Sequence, residues 1–181
     1  MDWFDNCHPS RTTQKHKMKS LIISLATLFV SFESFAQTKQ LPDLKLKDLN
    51  GKERNIKDLG TTGKITIITM WATWCKPCVQ EINAINEVME EWKTKYGVVL
   101  VAVSVDNARN TPKVKPFVDG QGWDFDVILD VNEDLKRALN APSVPYLILV
   151  DEKGKIVYEH NGYLPGDEVN LEEKIKKLKG L

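Results

Sequence analysis

The stretch Trp71-Ala72-Thr73-Trp74-Cys75-Lys76-Pro77-Cys78 decides how this chain folds. Before it runs a β-branched segment, Ile65-Thr66-Ile67-Ile68-Thr69-Met70. After it, Val79, Ile82, Ile85, Val88, Met89, Trp92 and Tyr96 recur at helical spacing. A strand therefore delivers two cysteines, one helical turn apart, to the start of a helix. Free backbone N–H groups and the positive end of the helix dipole favour a thiolate over a thiol at Cys75. The second sulfur, at i+3, is close enough to close a small disulfide ring. Lys76, between the two, adds a modest electrostatic pull toward the thiolate. The chemistry implied is a dithiol that cycles with a disulfide.

The remaining composition narrows the alternatives. The chain has 181 residues, 42% hydrophobic and 28% charged, with 25 basic and 25 acidic side chains. That is enough apolar material for one ordinary domain, and a zero net charge offers nothing to draw in nucleic acid. Cys7 is the third and last cysteine. One CxxC pair is too few for a disulfide framework. A structural zinc site needs two further ligands, and beyond residue 36 the sequence holds only His160 as a histidine. No metal is expected.

Residues 1–36 read as a leader. Lys15, Lys17 and Lys19 precede a twelve-residue apolar run, Leu21 to Phe32, and Ser34-Phe35-Ala36 forms a small-residue cleavage site. These are the three regions of a secretory signal. Met18 reads as the true start, with residues 1–17 an upstream extension. The apolar run is shorter than the roughly twenty residues of a membrane span; left uncleaved, the segment would still hold the domain at the inner membrane. Residues 37–181 are then the working domain, in an oxidising, exported compartment.

Within that domain, Leu41 to Lys52 alternates apolar and polar residues around Asn50-Gly51, a hairpin signature, with a short turn at 56–59. The helix over 76–96 should end at Gly97. Val98 to Val105 is a continuous apolar run, as in a buried parallel strand. Asp106 to Asn110 reads as a loop, and Thr111-Pro112 opens a helix that should stop near Gly120. A strand over 125–129 and a short helix over 132–139 follow. A second hairpin, 146–159, turns at Asp151 to Gly154. The closing amphipathic helix shows Val169, Leu171, Ile175 and Leu178 as its apolar face. Alternation in the middle and hairpins at the ends predict one α/β domain around a mixed sheet flanked by helices.

At this point the residues resemble a known family. WCKPC at a strand-to-helix junction resembles the redox motif of the thioredoxin fold. The Trp-Ala-Thr-Trp-Cys lead-in, the N-terminal β-hairpin, the inserted helix-strand segment at 107–131 and Val144-Pro145, 67 residues after Cys78, resemble the TlpA/ResA branch of exported thiol-disulfide oxidoreductases. The likeness spans about residues 41 to 179. It implies a catalytic Cys75 nucleophile and a resolving Cys78, with no cofactor beyond their redox-active disulfide. It also implies a cis Pro145 packed on that disulfide and a Val144 backbone that binds substrate, with Trp74, Lys76 and Pro77 completing the contact surface. Trp71 is expected in the core and Trp74 at the surface, shielding the disulfide.

Glu81 follows Cys78 by three residues, on the same helical face. In ResA-like proteins an acid at this position handles protons; as an alternative, an acid near a helix start is favoured by the dipole alone. Thioredoxins usually carry a buried aspartate six residues before the first motif cysteine, where this chain has Thr69. Glu81 is therefore the candidate proton acceptor. The resemblance further implies a monomer in the periplasm that reduces disulfides of exported proteins, apocytochrome c among them, with electrons from a membrane donor. The same motif run in reverse would make a disulfide donor or isomerase, with antioxidant or stress roles also open. A CxxC metal-handling module is a third reading, although no histidine or methionine flanks the motif. A peroxiredoxin site would want a proline at position 68, which here is Ile68.

Overall fold

Seven strands form one sheet in the order β2-β1-β5-β4-β3-β6-β7. The structure, a computed structural model, describes residues 39–181. The expectations for the leader, for Met18, for Cys7 and for a domain start at residue 37 lie outside the described residues. Among the described residues no helix is long and apolar enough to cross a membrane.

Strand β3 (Thr66–Trp71) sits near the middle and is buried along its whole length. It pairs in parallel with β4 (Val99–Ser104), which pairs in parallel with β5 (Asp126–Leu129). On its other side β3 meets β6 (Tyr146–Val150) antiparallel, and β6 forms a hairpin with β7 (Ile156–Asn161). The opposite edge is the hairpin of β1 (Lys45–Asp48) and β2 (Glu53–Asn55), joined antiparallel to β5. The fold is thus the expected one: a mixed sheet with parallel pairs at its centre, antiparallel edges and helices on its faces.

Helix α2 (Lys76–Tyr96) runs from the motif to Gly97, whose left-handed φ of 67° ends it as the sequence predicts. It buries Ile82, Ile85, Trp92 and Tyr96 against the sheet. The turn at 56–59 is a helical turn, α1 (Ile56–Leu59), because the Asn55 side chain accepts the Lys57 N–H as an N-cap.

Two expectations are corrected. The inserted segment opens as a 3₁₀ turn (Thr111–Lys113), and its helix α3 (Val114–Gln121) runs past Gly120 to stop at Gly122, the glycine that takes the left-handed cap. After α4 (Asp134–Ala138), the closing helix α5 (Asp167–Lys179) buries Leu171 and Ile175, while Val169 is exposed. Val169 lies two residues before Leu171, about 200° around the helix, so it cannot share that face. Trp71 is fully buried, packed edge-on to Trp123 (5.0 Å between centroids) and against Phe117 (5.6 Å). The inserted segment thereby covers the end of β3 from which the motif emerges.

Candidate active site

The parallel pairing of β3 and β4 places the C-terminal ends of both strands at one end of the sheet, and the motif leaves from there. Ala72 to Trp74 bridges β3 to α2, with the Cys75 N–H donating to the Ala72 carbonyl (3.0 Å). Cys75 is the N-cap residue of α2, and Pro77 sits in the first turn, where its missing N–H costs nothing. Cys75 and Cys78 are joined in a disulfide. The two sulfurs are not equivalent: Cys75 is 5% exposed and Cys78 is 0%. Only Cys75 touches solvent. Lys76 and Pro77 are exposed beside it, and Trp74 stands at the surface with 65% of its area exposed.

The lead-in loop is held by a residue that the sequence reading left in a loop. Asp106, just beyond β4 and buried to 1%, accepts the Thr73 N–H (2.8 Å), the Thr73 hydroxyl (2.7 Å) and the Ser104 hydroxyl (2.9 Å). A short acidic side chain directly after a buried strand was the available signal. Asp106→Ala strands the buried Ser104 hydroxyl and two half-buried Thr73 donors, and at 1–3 kcal/mol for a buried loss the domain should become less stable by about 3 kcal/mol in urea denaturation. Thr73→Val, which keeps the backbone N–H bonded to Asp106, should cost less.

On the other flank, Met70 pairs with Tyr146, so the Val144–Pro145 peptide lies beside the end of β3. That peptide is cis. Val144 packs against the apolar cluster that contains both cysteines. The segment is tied to β7, where Asn161 Nδ2 donates to the Ser143 carbonyl (3.1 Å) and the Pro145 carbonyl (3.2 Å). The Gly162 N–H also donates to the Pro145 carbonyl (2.9 Å).

Below the disulfide lies Glu81, one turn after Cys78 on the buried face of α2 and only 2% exposed. Its carboxylate accepts a 2.5 Å hydrogen bond from the Thr69 hydroxyl. Burial pushes its pKa up to about 7; the Thr69 bond opposes this and the charge of Asp167 adds to it. A carboxyl with that pKa can hold or release a proton near neutrality. The pairing with Thr69 was not read from the sequence, because the partners are twelve residues apart on different elements. Among the described residues no three acidic, histidine or cysteine side chains are grouped so as to hold a metal ion.

Comparison with known proteins identifies relatives of this chain. Residues 37–159 match the AhpC/TSA family. The thioredoxin-like protein YneN of Bacillus subtilis is 34% identical, over 76% of this chain and 77% of its own. The thiol-disulfide oxidoreductase ResA of Bacillus thuringiensis is 31% identical, over 83% of each chain. A thioredoxin-like protein of Porphyromonas gingivalis, solved in solution, is 46% identical and superposes with a TM-score of 0.69, covering 76% of this chain and 90% of that one. The chain belongs to the AhpC/TSA family and, with its ResA relatives, to the thiol-disulfide oxidoreductases.

Proposed function

We propose that the chain is an exported reductase of protein disulfides, working through Cys75 and Cys78. The observation that carries this reading is Glu81. A buried carboxylate below the cysteine pair withholds stabilisation from a thiolate there, and a dithiol whose reduced form is not stabilised gives up its electrons more readily. The Cys75 thiolate attacks a substrate disulfide, which breaks to release one substrate thiolate and leaves a mixed disulfide. Glu81 takes the proton of Cys78, and the Cys78 thiolate attacks Cys75. The mixed disulfide breaks, reduced substrate leaves, and the Cys75–Cys78 bond closes. The substrate chain lies along the Val144 backbone, with Trp74, Lys76, Pro77 and Pro145 around Cys75. No metal or organic cofactor takes part, and a membrane-bound donor restores the dithiol.

The leader at 1–36 supports a periplasmic setting. The substrates are exported proteins that hold disulfides, with apocytochrome c a member of that class. The domain works as a monomer. The deciding measurement is the reduction potential of the Cys75–Cys78 couple, by equilibration against a thiol buffer. A value below about −230 mV, toward the thioredoxin end of the range, is expected. A value between about −180 and −120 mV would make the protein a disulfide donor or isomerase and reverse the direction assigned here.

A further inference from the structure

Glu81 cannot exchange its proton directly with bulk water, because the carboxyl is enclosed and the cysteine above it on the helix is fully buried. The structure offers one other side. A narrow cleft of about 10 Å³ opens where α2, β7 and α5 meet, and Glu81 lies in its wall. That volume matches a single water molecule. The same cleft is lined by Tyr158 and His160 from β7, Tyr163 from the following loop, and Asp167 and Glu168 from α5. The motif chemistry described above uses none of these groups.

Two of them lie against His160. Its Nε2 lies 3.2 Å from Asp167 Oδ2, and its ring stacks parallel to Tyr158 at 6.2 Å. Asp167 is itself fixed, since its Oδ2 also accepts the Leu164 N–H at 2.7 Å. The His160 and Asp167 side chains are 34% and 25% exposed, so they reach water while Glu81 does not. Tyr146, the other phenol at this end of β6 and β7, is occupied with Glu159 (3.0 Å). Lys174 lies over the Tyr158 ring, 5.8 Å from its centre. The electrostatics tie the two sides together: burial and then the charges of Asp167 and Glu81 hold the Tyr158 hydroxyl above its ordinary pKa.

We infer that Glu81 exchanges its proton with solvent through this cleft, with His160, oriented by Asp167, as the relay. The inference rests on the role of Glu81 given above. Each turnover moves one proton from the Cys78 thiol to the Glu81 carboxylate. To take it Glu81 must be unprotonated, so a proton held there in the mixed disulfide has to leave before Cys78 attacks. His160, its ring held by Asp167, accepts that proton through the water-sized gap and passes it to solvent. Re-reduction of the Cys75–Cys78 bond by the donor returns a proton to the Cys78 thiolate by the same route. Imidazole is the side chain suited to this handover near neutral pH. His160 is thus a positioning and relay residue for Glu81 and acts at a distance from the reacting sulfurs.

The test is single-turnover resolution of a preformed mixed disulfide between Cys75 and a small thiol, followed across the pH range in which Glu81 titrates. His160→Ala should slow resolution roughly tenfold, below the 10²–10⁴-fold usual for a full acid–base catalyst. Added imidazole should restore the rate in proportion to its concentration. His160→Gln, which preserves more of the packing, should show the same loss, and Asp167→Asn a smaller one. In a Glu81→Gln background, His160→Ala should change nothing further. A rate untouched by His160→Ala, or lost and not restored by imidazole in a folded variant, overturns the relay. If Glu81→Gln alone leaves the rate and its pH profile unchanged, the role of Glu81 has failed, and the relay with it.

Discussion

Cys78→Ala should abolish turnover and leave the enzyme trapped on its substrate. Cys78 is fully enclosed and its sulfur is bonded to Cys75, so no outside thiol or substrate disulfide has access to it. In the proposed cycle its task is confined to the second step, attack on Cys75 once that sulfur carries substrate. An attack held in place within the molecule has an effective molarity of roughly 10⁵ M or more, far beyond any millimolar thiol in solution. Removing Cys78 should therefore lower turnover by at least ~10³-fold, while the first attack by Cys75 goes on. A covalent enzyme–substrate adduct accumulates, visible as a mass increase that a reductant removes. Cys75→Ala should give no adduct at all. If Cys78→Ala still turns over, or if the adduct forms on Cys78 in the Cys75 variant, the order of the two cysteines is wrong.

Glu81 should make the oxidised domain less stable as the pH rises through neutrality. Its folded-state pKa is about 7 against an ordinary value of 4.5, with burial the leading cause. Between those two values the folded chain keeps a proton that the unfolded chain has released. Stability is greatest below the lower value, falls as the pH rises toward 7, and is level again above it. At about 1.4 kcal/mol per pH unit the whole window is worth roughly 3 kcal/mol. Glu81→Gln keeps the shape and can still meet the Thr69 hydroxyl, but it has no charge to bury. Denaturation of both proteins at pH values on either side of the window isolates the effect, because the groups that feel the Glu81 charge, Tyr158 and Tyr163, keep their protons throughout it. The glutamine variant should equal the parent at the acidic end and exceed it above neutrality. Parallel curves would mean that Glu81 is solvated in the folded protein.

Local patterns carried most of this structure. The apolar spacing from Val79 to Tyr96 and the glycine after it gave α2 both of its ends, and Asn50-Gly51 gave the first hairpin, because those signals are settled by neighbours in sequence. The same spacing put Cys78 and Glu81 on one face. Asp106 escaped notice because an aspartate after a strand looks like the start of a loop, and only the fold reveals that Thr73 and Ser104 converge on it. His160 and Asp167 escaped for a stronger reason: they belong to β7 and α5, and they meet Glu81 only once both have packed against α2. The error over Val169 was one of counting around a helix, and the error over Gly120 one of choosing between two nearby glycines. Gly122 was settled by its left-handed φ and not by burial, whereas Asp106, His160 and Asp167 needed the finished packing.

The Thr69–Glu81 bond has a mechanical side. Where thioredoxins place their buried acid on the strand, this chain leaves a hydroxyl and supplies the carboxyl from α2. The acid and Cys78 are then separated only by one helical turn, roughly 4.5 Å along the axis, whose length is set by covalent geometry and backbone hydrogen bonds. Sliding α2 over the sheet would carry sulfur and proton acceptor together as one rigid body. The spacing of sulfur and carboxyl is insulated from drift in the core, which leaves the sheet side of the interface free to change its packing without detuning the proton transfer proposed between them.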